Sequence, residues 1–233
     1  MFSILKKSKW YVTVFIALIT ILVLHNVSKR FSESDLFVLP LFLEGISTNL
    51  DANDLSFEEQ VLVINQLQQN MLNIAPEDKG IPEGQERGIQ QLSFWGYGLC
   101  YDKSYALETL LEYLGFKTRH LSIYENTKGT SFLKDFSTPG ILSHACTEVK
   151  TKAGWIVIDP NFAWIALDIK GNPVSLEFEE MWKDSNNFSS PPPYPIYTKD
   201  HHIVYGLYSR HGQFFWPYSF IPDYNIRGLL YNF

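Results

Sequence analysis

Cysteine is almost absent: the 233 residues hold two, Cys100 and Cys146. Two thiols cannot build a disulfide-dense scaffold or a cysteine-based zinc cluster. There is no Gly-rich phosphate loop and no internal repeat, which removes the common nucleotide-binding signatures and the solenoid architectures. Acid is missing from the first thirty residues, which carry Lys6, Lys7, Lys9, Lys29 and Arg30. The remainder holds 14 bases against all 25 acids, a net of −11. A body that acidic lacks the phosphate-neutralising surface that nucleic acid demands, so nucleic acid is not expected as a partner. What is present is an ordinary globular balance, 45% apolar and 19% charged, at a length that fits one domain with attachments.

Residues 1–30 read as an address. Three lysines precede Trp10–Leu24, a run of fifteen residues without charge. At roughly 1.5 Å per residue it reaches about 22 Å, short of a hydrocarbon core of about 30 Å. His25, Asn26 and Val27 extend it into the interface, with Trp10 and Tyr11 as an aromatic anchor at the other end. A secretory signal shares the basic start and the apolar length, but residues 25–30 offer no small-residue cleavage pattern. An uncleaved single-pass membrane anchor is therefore expected, and the excess of lysine before it places the body outside the cytoplasm.

Residues 31–55 read as a linker, with a short apolar patch at 37–43. Ser56 with Glu59 forms a capping-box pattern, and Phe57, Val61, Ile64, Leu67 and Met71 recur on one helical face. Residues 80–90 read as a polar loop. A second helix opens at Cys100, with Ser104, Leu107, Leu111 and Leu114 on its face and Gly115 as its stop. Strands are predicted over 117–124, 142–150 and 155–159, the last two joined by a hairpin-sized connection. The proline-rich run 189–195 reads as a stiff, exposed segment. The tail 196–233 is dense in aromatics, among them Phe214, Phe215, Trp216, Tyr218 and Phe220, and is expected to pack back on the domain, which is taken as 56–195.

A reactive cysteine needs its thiolate, which a helix N-terminus and a paired imidazole both favour. Cys100 starts its helix after the flexible Gly96–Gly98 stretch, so its own backbone N–H can face an oxyanion. Of six histidines, only His144 lies in a strand whose hairpin partner ends in a lone acid, Asp159. Adjacent antiparallel strands can set that imidazole beside the carboxylate and leave its other nitrogen facing sulfur. Asp159 before Pro160 could also simply begin a turn. His201 and His202 lack a third ligand at metal-site spacing, and the acids from Glu177 to Asp184 read as a solvated helix face, so neither a metal nor another cofactor is expected.

Residues 96–160 resemble the transglutaminase-like superfamily, the branch of papain-fold cysteine enzymes with a Cys–His–Asp triad. The resemblance rests on Gly98-x-Cys100 and its helix with Ala106, on Leu114–Arg119, on His144-Ala145-x-x-Glu148-Val149, and on Gly154-Trp155-x-x-x-Asp159-Pro160. It implies an α+β fold with the nucleophile helix packed on an antiparallel sheet. It also implies Cys100 as nucleophile, His144 as general base and acid, and Asp159 as the residue that orients the imidazole. By analogy with papain-like enzymes a further oxyanion donor lies upstream of the nucleophile. Gln90, Gln91, Trp95 and Tyr97 stand at suitable distance, with Gln91 and Trp95 preferred. One departure is Cys146, which stands where the family usually has tryptophan, two residues after the histidine and hence on the same strand face. It reads as a buried thiol filling that place, with a Cys100–Cys146 disulfide as the alternative. Glu148 reads as a structural ion-pair partner, with Arg119 a candidate for it.

The expected activity is cleavage or transfer of an amide or peptide acyl group through a Cys100 thioester, on a peptide or protein substrate. Hydrolysis is favoured over crosslinking, because 233 residues leave no room for the large accessory domains of the animal crosslinking enzymes and no alternating calcium loop occurs. The alternative expectation is an inactive binding or scaffold protein with an envelope partner in cell-envelope or surface-polysaccharide assembly.

Overall fold

The computed structural model describes residues 2–27, 31–82, 85, 87–127, 130–208 and 223–233. Helix α1 spans Phe2–Leu24, α2 Glu33–Phe42, α3 Phe57–Ile74, α4 Ile89–Trp95 and α5 Cys100–Tyr113. Strand β1 (Lys117–Glu125), helix α6 (Phe132–Phe136), and strands β2 (Ser143–Lys150) and β3 (Trp155–Ile158) follow. A one-turn helix α7 (Glu179–Trp182), strands β4 (His201–Tyr205), β5 (Leu207–Tyr208) and β6 (Asp223–Tyr224), and helix α8 (Ile226–Leu229) complete the order.

The central sheet has four antiparallel strands in the order β3-β2-β1-β4. Alternation along its strands sends Val149, Ile156 and Ile158 into one core with α2, α3 and α5. Leu121, Ile123, Cys146 and Val157 go into a second core under Trp164, Trp182 and Tyr197. The sheet is buried on both faces, which is why β3 reads as an uninterrupted apolar run. The mixed architecture, helices on an antiparallel sheet, is the α+β class expected.

Local signals explain the two long body helices. Ser56 caps α3: its Oγ accepts from the Glu59 N–H at 3.2 Å, and Glu59 accepts from the Ser56 N–H at 2.7 Å. Gly115 ends the α5 region at φ +85°, a conformation that favours glycine. The segment read as a linker instead carries α2, whose Leu39 and Phe42 enter the core. Its capping box closes with Ser32 and Asp35, and Pro40 sits inside it, a residue that argues against a helix. The supposed polar loop ends in α4, which packs on α2. The aromatic tail supplies more than cover, since β4 is the edge strand beside β1. The five tail aromatics named above lie outside the described residues.

Among the described residues no helix is long and apolar enough to cross a membrane. The side chains described on α1, Trp10–Leu24, are nevertheless largely exposed, Phe15 at 63% and Leu24 at 67%. Directly after α1 the chain is tied to the body: the Val27 N–H donates to the Tyr224 carbonyl at 2.8 Å, and the Tyr224 N–H donates to the His25 carbonyl at 3.0 Å.

Candidate active site

Cys100 is the first residue of α5, with Leu99 as its extended N-cap. The first N–H groups of a helix have no partner within it, so this thiol stands at the positive end of the helix dipole. The turn is locked by Asp102, which accepts from the Leu99 N–H at 3.0 Å and from Arg87 Nη1 at 2.6 Å. Position 98 is tightly packed: a Cβ there would sit 2.6 Å from Leu92 Cδ1 and 3.1 Å from Asp102 Cβ, so the Leu92 side chain would have to shift. The glycine two residues before the cysteine thus lets α4 and α5 meet. Cys100 is partly exposed, and both cysteines are free thiols.

His144 enters from β2, opposite Ile123 of β1, and is buried. Its Nε2 lies 2.8 Å from Asp159 Oδ2, which leaves Nδ1 as the ring nitrogen available to the Cys100 sulfur. Burial opposes charge on the imidazole, yet the Asp159 hydrogen bond, followed by the influence of Cys100, pushes its pKa up to about 10. Asp159 follows β3 and is fully buried. Besides His144, it accepts from Tyr197 Oη at 2.7 Å and, on Oδ1, from the Asn161 N–H at 2.8 Å. The last contact is the turn expected of an Asp-Pro pair, so Asp159 both begins the turn and faces the histidine. Gln68 of α3 fixes the same backbone, donating to the Asp159 carbonyl at 2.8 Å. The rings of Tyr194 and Tyr197 wall the imidazole, with centroids 4.7 Å and 5.7 Å away.

Cys146 is fully buried in the same core cluster as Tyr197. Burial raises the pKa of both the thiol and the phenol, so the pair stays neutral beside Asp159. The structure therefore holds Cys146 as a filled core position without a disulfide. The predicted ion pair is present: Arg119 Nε meets Glu148 Oε2 at 2.5 Å, both buried.

The two preferred upstream donor candidates both lie on α4. Gln91 lies in the first turn of α4, where its Oε1 accepts from the Gly88 N–H at 3.3 Å and its Nε2 donates to Gln90 at 3.1 Å. Trp95 ends α4 with its indole against the Phe94 and Tyr97 rings, at centroid distances of 5.2 Å and 5.9 Å. Sequence reasoning missed Tyr194, Tyr197, Asn161 and Gln68. Tyr194 belongs to the proline-rich run, which lies against the imidazole. Among the described residues no group of three or more His, Cys, Asp and Glu side chains is disposed to hold a metal ion.

One stretch of this α+β fold thus carries a helix-leading thiol and a buried imidazole–carboxylate pair. The transglutaminase-like superfamily profile matches residues 46–160, which contain α3, α4, α5, β1, β2, β3 and all three of these side chains. Over that stretch the chain belongs to the transglutaminase-like superfamily. No curated protein and no solved structure matches the chain.

Proposed function

We propose that the protein is a membrane-anchored cysteine enzyme that cleaves an amide or peptide bond through a thioester on Cys100. One observation carries the reading: His144 Nε2 is 2.8 Å from the buried Asp159 Oδ2, in a chain whose partly exposed Cys100 thiol leads α5. Asp159 holds the imidazole in one orientation and stabilises its charged form. The thiolate attacks the carbonyl carbon, and the resulting oxyanion lies at the α5 N-terminus, where the Cys100 N–H is the first donor. The imidazolium gives its proton to the departing amine, the carbon–nitrogen bond breaks, and the acyl group stays on sulfur. Water, deprotonated by His144, then attacks the thioester and regenerates the thiol. Water is the acceptor proposed; a primary amine in its place would give transfer.

The anchor belongs to the same reading. Its support is the lysine-led, uncharged run Trp10–Leu24 with exposed apolar side chains. An extracytoplasmic body is part of the proposal, supported by the three lysines before the run against the two bases after it. The test is activity-based labelling of membrane fractions with a low concentration of a thiol-alkylating probe. Wild type is expected to label rapidly, and Cys100→Ala to abolish the labelling. Fast labelling that persists through Cys146, or a folded wild type whose Cys100 is inert, overturns the enzyme reading and leaves an inactive scaffold.

A further inference from the structure

Lys103 stands three residues after Cys100 on α5, the spacing at which helical side chains are neighbours. It is 1% exposed, a degree of burial that lysine almost never reaches unless paired. Its backbone N–H donates to the Leu99 carbonyl at 3.1 Å, yet its ammonium makes no hydrogen bond or ion pair among the described residues. The other interior cations are held in contact: Arg87 by Asp102 at 2.6 Å and Arg119 by Glu148 at 2.5 Å. Two acids near Lys103 are engaged elsewhere, Asp102 by Arg87 and Asp159 by His144 and Tyr197. A third, Asp78, is exposed. An ammonium withdrawn from water in this way lacks a contact counter-charge, and the Cys100 sulfur is the neighbouring group that can supply one by losing its proton.

We infer that Lys103 is a positioning residue whose buried positive charge holds the neighbouring Cys100 sulfur in its anionic form. The inference rests on the proposed role of Cys100 as nucleophile. The charge-bearing groups around the two side chains are of both signs. Burial lowers the Lys103 pKa, opposed by Asp78, Cys100, Asp159 and Asp102. From β2, His144 faces the sulfur as a cation and Cys146 as a neutral thiol; Tyr124 of β1, Tyr194 and Tyr101 remain neutral phenols with raised pKa values. Besides Arg87, which is paired with Asp102, Lys103 and His144 are the cations near the sulfur, and His144 is the one oriented by Asp159.

The experiment is the rate of Cys100 alkylation by iodoacetamide across pH 4–10, on the full chain in detergent, with Cys100→Ala as the background. Lys103→Met is expected to move the low-pH limb upward by about one pH unit, which is about tenfold slower alkylation at pH 6. Lys103→Arg keeps the limb in place, and the thiolate absorbance near 240 nm follows the same order. Lys103→Met is also expected to resist urea at least as well as wild type, because an apolar side chain replaces a buried charge; a merely structural lysine would give the opposite. Should methionine not be accommodated, Lys103→Gln makes the same comparison. A limb identical in wild type and in the neutral variant overturns the Lys103 inference alone. A wild type with no reactivity below that of an ordinary thiol overturns the nucleophile reading as well.

Discussion

The Tyr197 hydroxyl donates to Asp159 Oδ2 at 2.7 Å, the same oxygen that meets His144 Nε2 at 2.8 Å. One carboxylate oxygen therefore takes two donors from two distant stretches of chain. Cys146 lies in the same buried cluster as Tyr197.

Tyr197→Phe keeps the packing of this fully buried ring and removes the donor. A buried carboxylate deprived of one hydrogen bond costs about 1–3 kcal/mol. Urea unfolding is expected to show a lower midpoint with an unchanged slope, and Cys100 alkylation at neutral pH is expected to slow severalfold. Unchanged values of both would show that Tyr197 only fills space.

The His144 charge gives the protein a pH signature. Its pKa is pushed up to about 10 in the folded state, against 6.5 for an unperturbed imidazole. A group whose pKa is raised by folding contributes stability that is full below pH 6.5 and lost as pH climbs through the folded value. The stability advantage of wild type over His144→Gln is thus expected to shrink progressively between pH 6.5 and 10. Urea melts at pH 6, 8 and 10 measure it; an advantage that grows with pH would mean the buried imidazole is neutral.

How much of this was legible in the sequence depends on the range of each interaction. Helix α3 announced itself through Ser56 and Glu59 and a regular apolar face, and α5 through the stripe from Cys100 to Leu111. The strands near His144 and Asp159 could be placed beside one another because a short connection joins them. Helix α2 was hidden by Pro40 and by a box that closes on aspartate, and α4 has only seven residues, two of them glutamine. Tyr197 meets Asp159 across 38 residues and leaves no periodic trace. Lys103 was hidden for another reason. It sits in Tyr101-Asp102-Lys103, which reads as a polar helical edge, whereas α5 is buried on nearly every side. A charge inside such a helix becomes visible only when the neighbouring elements are in place.

Arg119 is the structural counterpart of the site, and its removal should separate stability from reactivity. It pairs with Glu148 at 2.5 Å and Glu177 at 2.8 Å, and its guanidinium lies 4.3 Å from the Trp155 ring centroid and 4.6 Å from that of Tyr205. Arg119→Ala leaves Glu148 buried without its counter-ion, a loss of about 3–5 kcal/mol. Arg119→Lys keeps the charge but loses the planar fork and the stacking, and is expected to fall between. Thermal unfolding ranks the three proteins. Where the variants are folded, the pH profile of Cys100 alkylation should match wild type; a shifted profile would place Arg119 among the groups that act on the thiol.

The junction after α1 sets where an anchor can be removed. Residues 25–27 run beside Tyr224, with the Val27 N–H on the Tyr224 carbonyl at 2.8 Å and the Ile226 N–H on Asn26 Oδ1 at 3.2 Å. These contacts hold β6 and the start of α8, which pack against β5 and the edge of the central sheet. Deletion of residues 1–24 keeps them, whereas deletion of residues 1–30 strips the backbone partners of Tyr224. The first truncation is expected to leave the membrane fraction and retain wild-type thermal stability. The longer one is expected to be soluble but less stable, with faster hydrogen exchange at Tyr224 and Asn225. Extraction by alkaline carbonate separates the locations, and a full chain released by that wash would overturn the anchor. Equal stability of the two truncations would show that residues 25–27 are passengers on the sheet.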